Sequence, residues 1–247
     1  MNSQMDPYVY KGTNILINKL NIRDEQELID IETQFFIANV LDIPSALHKI
    51  DFSLHGSVQQ IHQLLFENIY SWAGEFRTVN IYKPEQVLNG LSISYSDKSQ
   101  IERDLTQIFN WHTTVQWNNK NNTLAEDFAR FMTELWRIHP FREGNTRTTS
   151  VFMDLFAKKN GLEFNGELLS QHPGYLRKAL VLAAVEKVPE PEYLLRMLKD
   201  ALNVIGDKKL ERKEEPSKKY KMIKQYDVTK YKQKPFKTSQ DSYEKDD

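Results

Sequence analysis

The side chains best suited to chemistry lie in one stretch of nine residues, which reads His139-Pro140-Phe141-Arg142-Glu143-Gly144-Asn145-Thr146-Arg147. Its histidine can act as a general base, its glutamate can hold a divalent cation, and its last arginine can clamp phosphate oxygens. A helix that only packs in a core needs none of these residue types in this order. The stretch therefore predicts a site that transfers a phosphoryl-containing group.

Two helices must meet at this stretch and position it. Before it, Thr123 and Glu126 form a T-x-x-E capping box ahead of an apolar helical stripe, and Pro140 ends that helix because it lacks an N–H group. After it, Gly144 and Asn145 open the next helix. Because the unpaired N–H groups and the dipole of a helix N-terminus bind phosphate, we expect an anion site at this bend.

Each of these residues also has a purely structural interpretation. A lone histidine at a helix end is usually a partner of the helix dipole, and asparagine is a common N-cap. In the company of Glu143 and Arg147, however, His139 is suited to take a proton from an incoming hydroxyl. Mg²⁺ prefers carboxylate and phosphate oxygens, so Glu143 is the predicted metal ligand and nucleotidyl transfer the predicted reaction.

Residues 139–150 resemble the active-site motif of the Fic family, His-Pro-Phe-x-Asp/Glu-Gly-Asn-Gly-Arg-x-x-Arg. Residues 8–13 with 18–20, and residues 70–77, resemble other common stretches of that family, so the likeness spans roughly residues 8–205. It implies an all-α fold, a Fic-type helical bundle with a small β-hairpin flap beside the active-site loop. The implied catalytic domain is 1–205, with the flap at about 78–95, and a Lys-rich flexible tail follows at 206–247.

The resemblance implies a protein adenylyltransferase that transfers AMP from ATP, with Mg²⁺, to a tyrosine, serine or threonine hydroxyl of a target protein. His139 would be the general base, Glu143 the metal ligand and Phe141 a buried anchor. The implied nucleotide- and phosphate-binding residues are Arg142, Gly144, Asn145, Thr146, Arg147, Ser150 and Tyr175. The implied flap residues, which align the target as an added strand, are Val79, Asn80, Ile81, Tyr82 and Lys83.

Two positions depart from the family motif. Thr146 stands where glycine is usual, and Ser150 stands where the second arginine is expected. The second departure leaves the contact to the outer phosphate open, with Arg142 a better substitute than Lys158. Two alternatives therefore remain: a Fic-type transferase that uses another nucleotide or phosphate-containing donor, and a catalytically weak Fic scaffold that acts as a binding protein.

The inhibitory sequence of many Fic proteins, Ser/Thr-x-x-x-Glu-Gly/Asn, is not evident. Its nearest match is residues 71–75, but Phe76 follows and the segment fits the approach to the flap instead. The resemblance then implies either a separate small antitoxin-like inhibitor, as in bacterial toxin–antitoxin pairs, or control of another kind.

Patterns outside the motif predict the rest of the architecture. Residues 77–82 and 91–95 alternate with period two around Asn89-Gly90, which predicts a β-hairpin. Helical periodicity predicts helices at 24–40, 57–71, 99–111, 123–138, 145–160, 175–186 and 191–205.

The amino-acid composition excludes some kinds of site and bears on where the protein works. The absence of cysteine excludes disulfides and zinc–thiolate sites, and no apolar run is long enough for a membrane span. We expect a cytoplasmic protein, with delivery into another cell left open. The tail mixes lysines with acidic residues, so nucleic-acid binding is not expected. The tail is predicted to be solvated, or else a docking segment anchored by Tyr220, Tyr226 and Tyr231.

Overall fold

The computed structural model describes residues 6–203, 219–230 and 236–238. In these residues the chain forms eight α-helices connected by short loops. The helices are α1 Glu25–Asp42, α2 Gly56–Phe66, α3 Ile101–His112, α4 Leu124–Ile138, α5 Asn145–Lys159, α6 Gly166–Gln171, α7 Pro173–Ala183 and α8 Glu192–Ala201. All seven predicted helices are present, and α6 is an addition that its short length hid from periodicity.

Helices α4 and α5 form the centre of the bundle and carry the motif loop between them. On α4, Phe128 and Phe131 are fully buried, and on α5 so are Phe152 and Phe156. The ring of Phe131 contacts both phenylalanines of α5 edge-on, at centroid distances of 5.7 and 5.4 Å. This aromatic core packs α4 against α5 and so fixes the relative position of the two helices that flank the loop.

The start of α4 differs from the predicted capping box. No side chain caps this helix end. The Thr123 hydroxyl instead bonds the side chains of Asn121 and Asp127, each at 2.9 Å. Glu126 contacts Lys199 of α8 at 2.9 Å, so tertiary pairing has replaced the local cap.

Four short strands complete the described fold: β1 Ile81–Tyr82, β2 Met222–Ile223, β3 Tyr226–Asp227 and β4 Lys237–Thr238. Strand β1 pairs antiparallel with β4, and β2 pairs antiparallel with β3. The predicted hairpin was therefore wrong in its partner. Asn89 and Gly90 do turn the chain with positive φ, but they follow a 3₁₀ helix, and residues 91–95 form no ladder with β1.

Part of the predicted flexible tail is packed onto the helical body. Strand β2 and the 3₁₀ helix Val228–Lys230 lie against α7, with Ile223 fully buried, and β3 pairs with β2. Tyr220 is buried with its ring 4.9 Å from that of Tyr175, and the Tyr226 hydroxyl donates to the Gln86 carbonyl at 2.8 Å. The third proposed anchor, Tyr231, lies outside the described residues.

Across the described residues, every helix is too short or too polar to cross a bilayer.

Candidate active site

His139 is the residue at which α4 ends. Its backbone is left-handed, with φ +48°, and its side chain is fully buried. The ring Nδ1 bonds the Trp136 carbonyl, so Nδ1 carries the proton and Nε2 keeps its lone pair. Burial, together with the nearby charge of Arg177, lowers the pKa of His139 well below its ordinary value. Within the described chain the buried Nε2 has no hydrogen-bond partner, so it is available to accept a proton.

Arg77 holds this strained backbone in place. Its N–H donates to the Pro140 carbonyl and its Nε to the His139 carbonyl, each at 2.8 Å. The guanidinium also donates to the carbonyls of Val79 and Ser96. Burial lowers the pKa of Arg77 to about 10, which leaves the group charged near neutral pH. Periodicity and motif spacing carried no signal for this role.

The motif loop rests on a second histidine that the sequence left unassigned. The His62 ring stacks on Phe141 with a centroid distance of 3.7 Å. Its Nδ1 accepts from the Gly74 N–H at 2.8 Å and its Nε2 donates to the Glu143 carbonyl at 3.1 Å. Burial lowers the pKa of His62 to about 3, so the ring is neutral and serves as a two-ended brace. Phe141 is the buried anchor that was predicted.

Asn145 ties the loop to itself. Its side-chain oxygen accepts from the Phe141 N–H at 2.9 Å and its amide donates to the Phe141 carbonyl at 2.8 Å. The residue's side chain is thus used for structure, which leaves its backbone N–H for an anion. Thr146 is already helical, and its hydroxyl accepts from Trp136 Nε1 at 2.9 Å, so threonine meets no conformational obstacle there.

Gly144 is required by both backbone angle and space. Its φ is +80°, and a Cβ there would lie 2.6 Å from the Phe66 ring. It occupies the N-cap position of α5, and no side chain caps that helix end. The first-turn N–H groups of α5 are therefore without a helical partner, as an anion site requires.

These groups border one small cavity of about 70 Å³. Its lining residues are Lys83, Glu143, Gly144, Asn145, Thr146, Arg147, Pro173, Arg177 and Phe236. The structure therefore brings together five consecutive motif residues and one predicted flap residue. A wider depression of about 520 Å³ lies elsewhere, beside Asp51, His112 and Trp117, and includes no motif residue.

Arg147 is held by a carboxylate of α1. It forms a salt bridge with Glu32, which also accepts from the Tyr70 hydroxyl, and it lies 4.0 Å from Glu143. The guanidinium sits over the Phe66 ring at 4.8 Å. Arg147, which was predicted to clamp phosphate, borders the cavity, but Glu32 already supplies a negative charge to its guanidinium.

Three predicted nucleotide contacts do not line the cavity. Arg142 pairs with Asp6 at 2.7 Å and donates to the Phe236 carbonyl at 3.1 Å. The Ser150 hydroxyl bonds back to the Thr146 carbonyl at 2.9 Å within α5. Tyr175 is part of the core, because its face of α7 turns inward and its hydroxyl donates to the Tyr193 carbonyl.

Two basic residues at the cavity escaped the sequence-based list of phosphate ligands. Arg177 of α7 donates to the Thr146 hydroxyl at 3.3 Å and to Glu85 at 2.7 Å. Glu85 also accepts from Lys178 at 2.6 Å; burial opposes its ionisation, yet these two cations hold its pKa below the usual value. Burial, aided by Arg177, lowers the pKa of Lys83 to about 7.

The five predicted flap residues form one segment, which reaches the cavity at its last residue. Ile81 and Tyr82 form β1, and Lys83 borders the cavity. Asn80 fastens the segment by donating to Asp97 at 2.7 Å, and the Val79 carbonyl accepts from Arg77. Arg77 ties this segment to the motif loop, and Lys83 leads it to the cavity; we call the edge of β1 the ledge.

Residues 52–157 match the family model described as Fic/DOC family. A probable protein adenylyltransferase of Sinorhizobium fredii is 30% identical over 169 residues, which make up 66% of this chain and 81% of that protein. The chain belongs to the Fic/DOC family. VbhT of Bartonella schoenbuchensis, named a protein adenylyltransferase, is also 30% identical, over 63% of this chain and 31% of its own length.

Solved Fic structures share the fold. The BepC protein of Bartonella tribocorum with bound AMPPNP has a TM-score of 0.63 at 22% identity, over 78% of this chain and 95% of that one. The Fic domain of an effector from Bartonella sp. AR 15-3 has a TM-score of 0.67 at 19% identity, covering 80% and 91%. The predicted mostly helical Fic fold is confirmed, and kinship with proteins named adenylyltransferases makes the chain a Fic-type nucleotidyltransferase.

Proposed function

We propose that this Fic protein transfers AMP from ATP to a hydroxyl side chain of a target protein. The observation that carries the proposal is the state of His139, which is held in a single tautomer with a buried and unsatisfied Nε2. Phe236 connects this base to the anion site, because its ring centroid lies 5.0 Å from that of His139 and it also borders the cavity at the N-terminus of α5. A base and a phosphate site that share a neighbour fit nucleotidyl transfer to a hydroxyl.

The reaction follows from these positions. The acceptor oxygen attacks the α-phosphorus while its proton passes to His139 Nε2. The bond from the α-phosphorus to the bridging oxygen breaks, and pyrophosphate leaves. The first-turn N–H groups of α5 offset the charge on the phosphate oxygens, and Arg147 contributes once a phosphate competes with Glu32 for it.

Glu143 would hold the Mg²⁺ ion. Among the described residues it is the sole carboxylate that borders the cavity, and its Oε1 accepts from the Gly144 N–H at 3.0 Å. The part of the chain that the structure describes contains no cluster of three metal-ligating side chains. One carboxylate suits Mg²⁺, which takes its other ligands from water and substrate phosphates. When bound, the ion would offset negative charge on the phosphates.

The outer phosphates would be met by Arg177 rather than by the position that Ser150 occupies. Arg177 borders the cavity, whereas Ser150 and Arg142 are engaged elsewhere. The cavity of about 70 Å³ is far below the roughly 300 Å³ of ordinary ligand pockets, so the nucleoside needs the surrounding side chains to move apart. Another nucleotide or phosphate-containing donor remains the alternative to ATP.

Transfer of label from α-labelled ATP with Mg²⁺ to proteins of a lysate tests the proposal. Four proteins are compared: the unaltered chain, Phe236→Ala, His139→Ala and the double variant. Phe236→Ala is included because Phe236 borders the cavity. We expect labelled protein that disappears with His139→Ala, and competition by unlabelled UTP and GTP identifies the donor. A blank result for all four proteins would overturn the proposed transfer.

A second candidate function is that of a binding scaffold. The Arg147–Glu32 salt bridge motivates it, because an arginine already neutralised binds phosphate less well. Binding of Mg-ATP without transfer in the same assay would favour it. A separate antitoxin-like inhibitor also stays a prediction, which co-purification with the product of the neighbouring gene would test.

A further inference from the structure

The edge of β1, the ledge on which a target strand would dock, carries a strand of this same chain. Lys237 of β4 pairs with Tyr82, and Thr238 pairs with Ile81, in antiparallel register. The sequence separates these partners by most of the chain, so the pairing is tertiary. We call residues 236–238 the docked segment.

The first residue of the docked segment places an aromatic ring at the base. Phe236 is buried, and its ring centroid lies 5.0 Å from the His139 ring. Tyr95 flanks it edge-on at 5.7 Å. Lys83 Nζ lies 4.8 Å and Arg177 Cζ 5.2 Å from the centroid of the Phe236 ring. The Phe236 ring therefore lies in a site formed by four side chains, which we call the acceptor seat: His139, Tyr95, Lys83 and Arg177.

The backbone of Phe236 is fixed as well as its ring. Its carbonyl accepts from Arg142 Nη2 at 3.1 Å, and Arg142 is in turn held by Asp6 at 2.7 Å. Phe236 also borders the cavity that ends at the first turn of α5. A ring so placed lies between the ledge and the anion site, where the acceptor of a transfer reaction must be.

We infer that the docked segment is a resident pseudosubstrate and that the natural acceptor of this site is a tyrosine on an extended segment. Phenylalanine lacks only the hydroxyl of tyrosine. Phe236 therefore occupies the acceptor seat but has no hydroxyl that could be modified. With a tyrosine there, the phenol oxygen would bond to the α-phosphorus, its proton would pass to His139 Nε2, and pyrophosphate would leave. This inference rests on the proposed function and adds the acceptor class to it.

The decisive experiment restores the missing hydroxyl. The full chain, Phe236→Tyr, Lys237→Ala and Phe236→Tyr combined with His139→Ala are incubated with ATP and Mg²⁺, then mapped by peptide mass spectrometry. We expect one AMP at position 236 in Phe236→Tyr alone. Lys237→Ala is the matched control, because that side chain is exposed and its loss leaves the ring in place.

A second measurement asks whether the docked segment blocks the seat. The probe is a synthetic peptide of residues 231–242 in which the phenylalanine is replaced by tyrosine, offered to the full chain, Phe236→Ala and Lys237→Ala. Losing a buried aromatic ring should free the seat, so Phe236→Ala is expected to label the peptide about ten- to hundredfold faster than the other two.

Label on Tyr95 or Thr238 instead of position 236 would overturn the assignment of the acceptor seat. So would a Phe236→Tyr chain that stays unmodified while Phe236→Ala labels lysate proteins, and in that case the proposed transfer itself would stand. If neither the unaltered chain nor Phe236→Ala labels the peptide or any lysate protein, both the inference and the proposed function fall together.

Discussion

The Nε of Arg77 donates a hydrogen bond to the carbonyl of His139 across 2.8 Å, and this bond joins the flap to the catalytic loop. The same guanidinium reaches the carbonyls of Val79 and Ser96, which lie on the flap side. One side chain thus sets the distance between the base and the ledge on which a target would lie. A misplacement of about 1 Å in such a group can slow a reaction about a hundredfold.

Replacing Arg77 with methionine should therefore loosen both the motif loop and the flap. The loss leaves several buried carbonyls without a donor, and we expect a decrease of about 3 kcal/mol in the free energy of unfolding. Urea unfolding measures it. Arg103→Met is the matched control, since the Arg103 side chain is 69% exposed and its pair with Asp104 contributes under about 1 kcal/mol. Equal effects of the two changes would contradict the role given to Arg77.

Gly144→Ala tests the close approach of α5 to α2. A Cβ would lie 2.6 Å from the Phe66 ring in a backbone with φ +80°, so overpacking and backbone strain add together. We expect destabilisation of about 3 kcal/mol. Gly12→Ala shares the positive φ, at +76°, but meets no atom within 4 Å and should cost about 1 kcal/mol. Thermal unfolding of the two variants separates crowding from strain, and similar melting temperatures would refute the crowding.

The buried His62 predicts acid sensitivity. Its pKa falls from an ordinary 6.5 to about 3 because of burial, so the unfolded chain binds a proton that the folded chain refuses. The stabilisation that the neutral His62 contributes is fully present above pH 6.5. It is lost as the pH falls toward 3, by about 1.4 kcal/mol per pH unit.

This slope is measured by urea unfolding between pH 7 and pH 4. His62→Asn should flatten it, whereas His48→Gln should leave it unchanged because the His48 ring is exposed. An unaltered slope in His62→Asn would show that other groups cause the acid loss.

Glu32→Gln should convert Arg147 into a stronger anion site. The change leaves a largely buried guanidinium with a weakened partner, so we expect about 2–3 kcal/mol of destabilisation. Added pyrophosphate should recover part of it, because a bound anion stabilises the folded state.

The increase of melting temperature with pyrophosphate is the measurement, and we expect it to be larger for Glu32→Gln than for the unaltered chain. Glu134→Gln serves as the control, since it weakens a half-exposed pair with Arg137 on the outside of α4. Equal increases in all three proteins would place the anion away from Arg147.

Local sequence predicted the motif loop well, because its determinants are local. Gly144 had to be a glycine for reasons of backbone angle, and Pro140 follows directly on the end of α4. The helices were predictable because each buries one apolar face, and periodicity records that face directly. Phe141 was expected to be buried and is.

The parts that failed depend on contacts between distant residues. The Asn89-Gly90 turn forms, but whether its second arm joins β1 depends on competition with β4, which no local pattern contains. Glu32 and Arg77 reach the site from other elements, so their spacing relative to the motif carries no information. Tyr175 lies away from the cavity because the rotation of α7 about its axis is set by packing against Tyr220 and its neighbours.

The contacts of Arg142 have a consequence for the order in which the site is completed. Its two partners, Asp6 and the Phe236 carbonyl, lie 136 and 94 residues away along the chain. Because a chain is made from its N-terminus, Phe236 is added after the residues of all eight described helices. The ring that packs against His139 and borders the cavity is therefore supplied last, by a part of the chain outside the helical bundle.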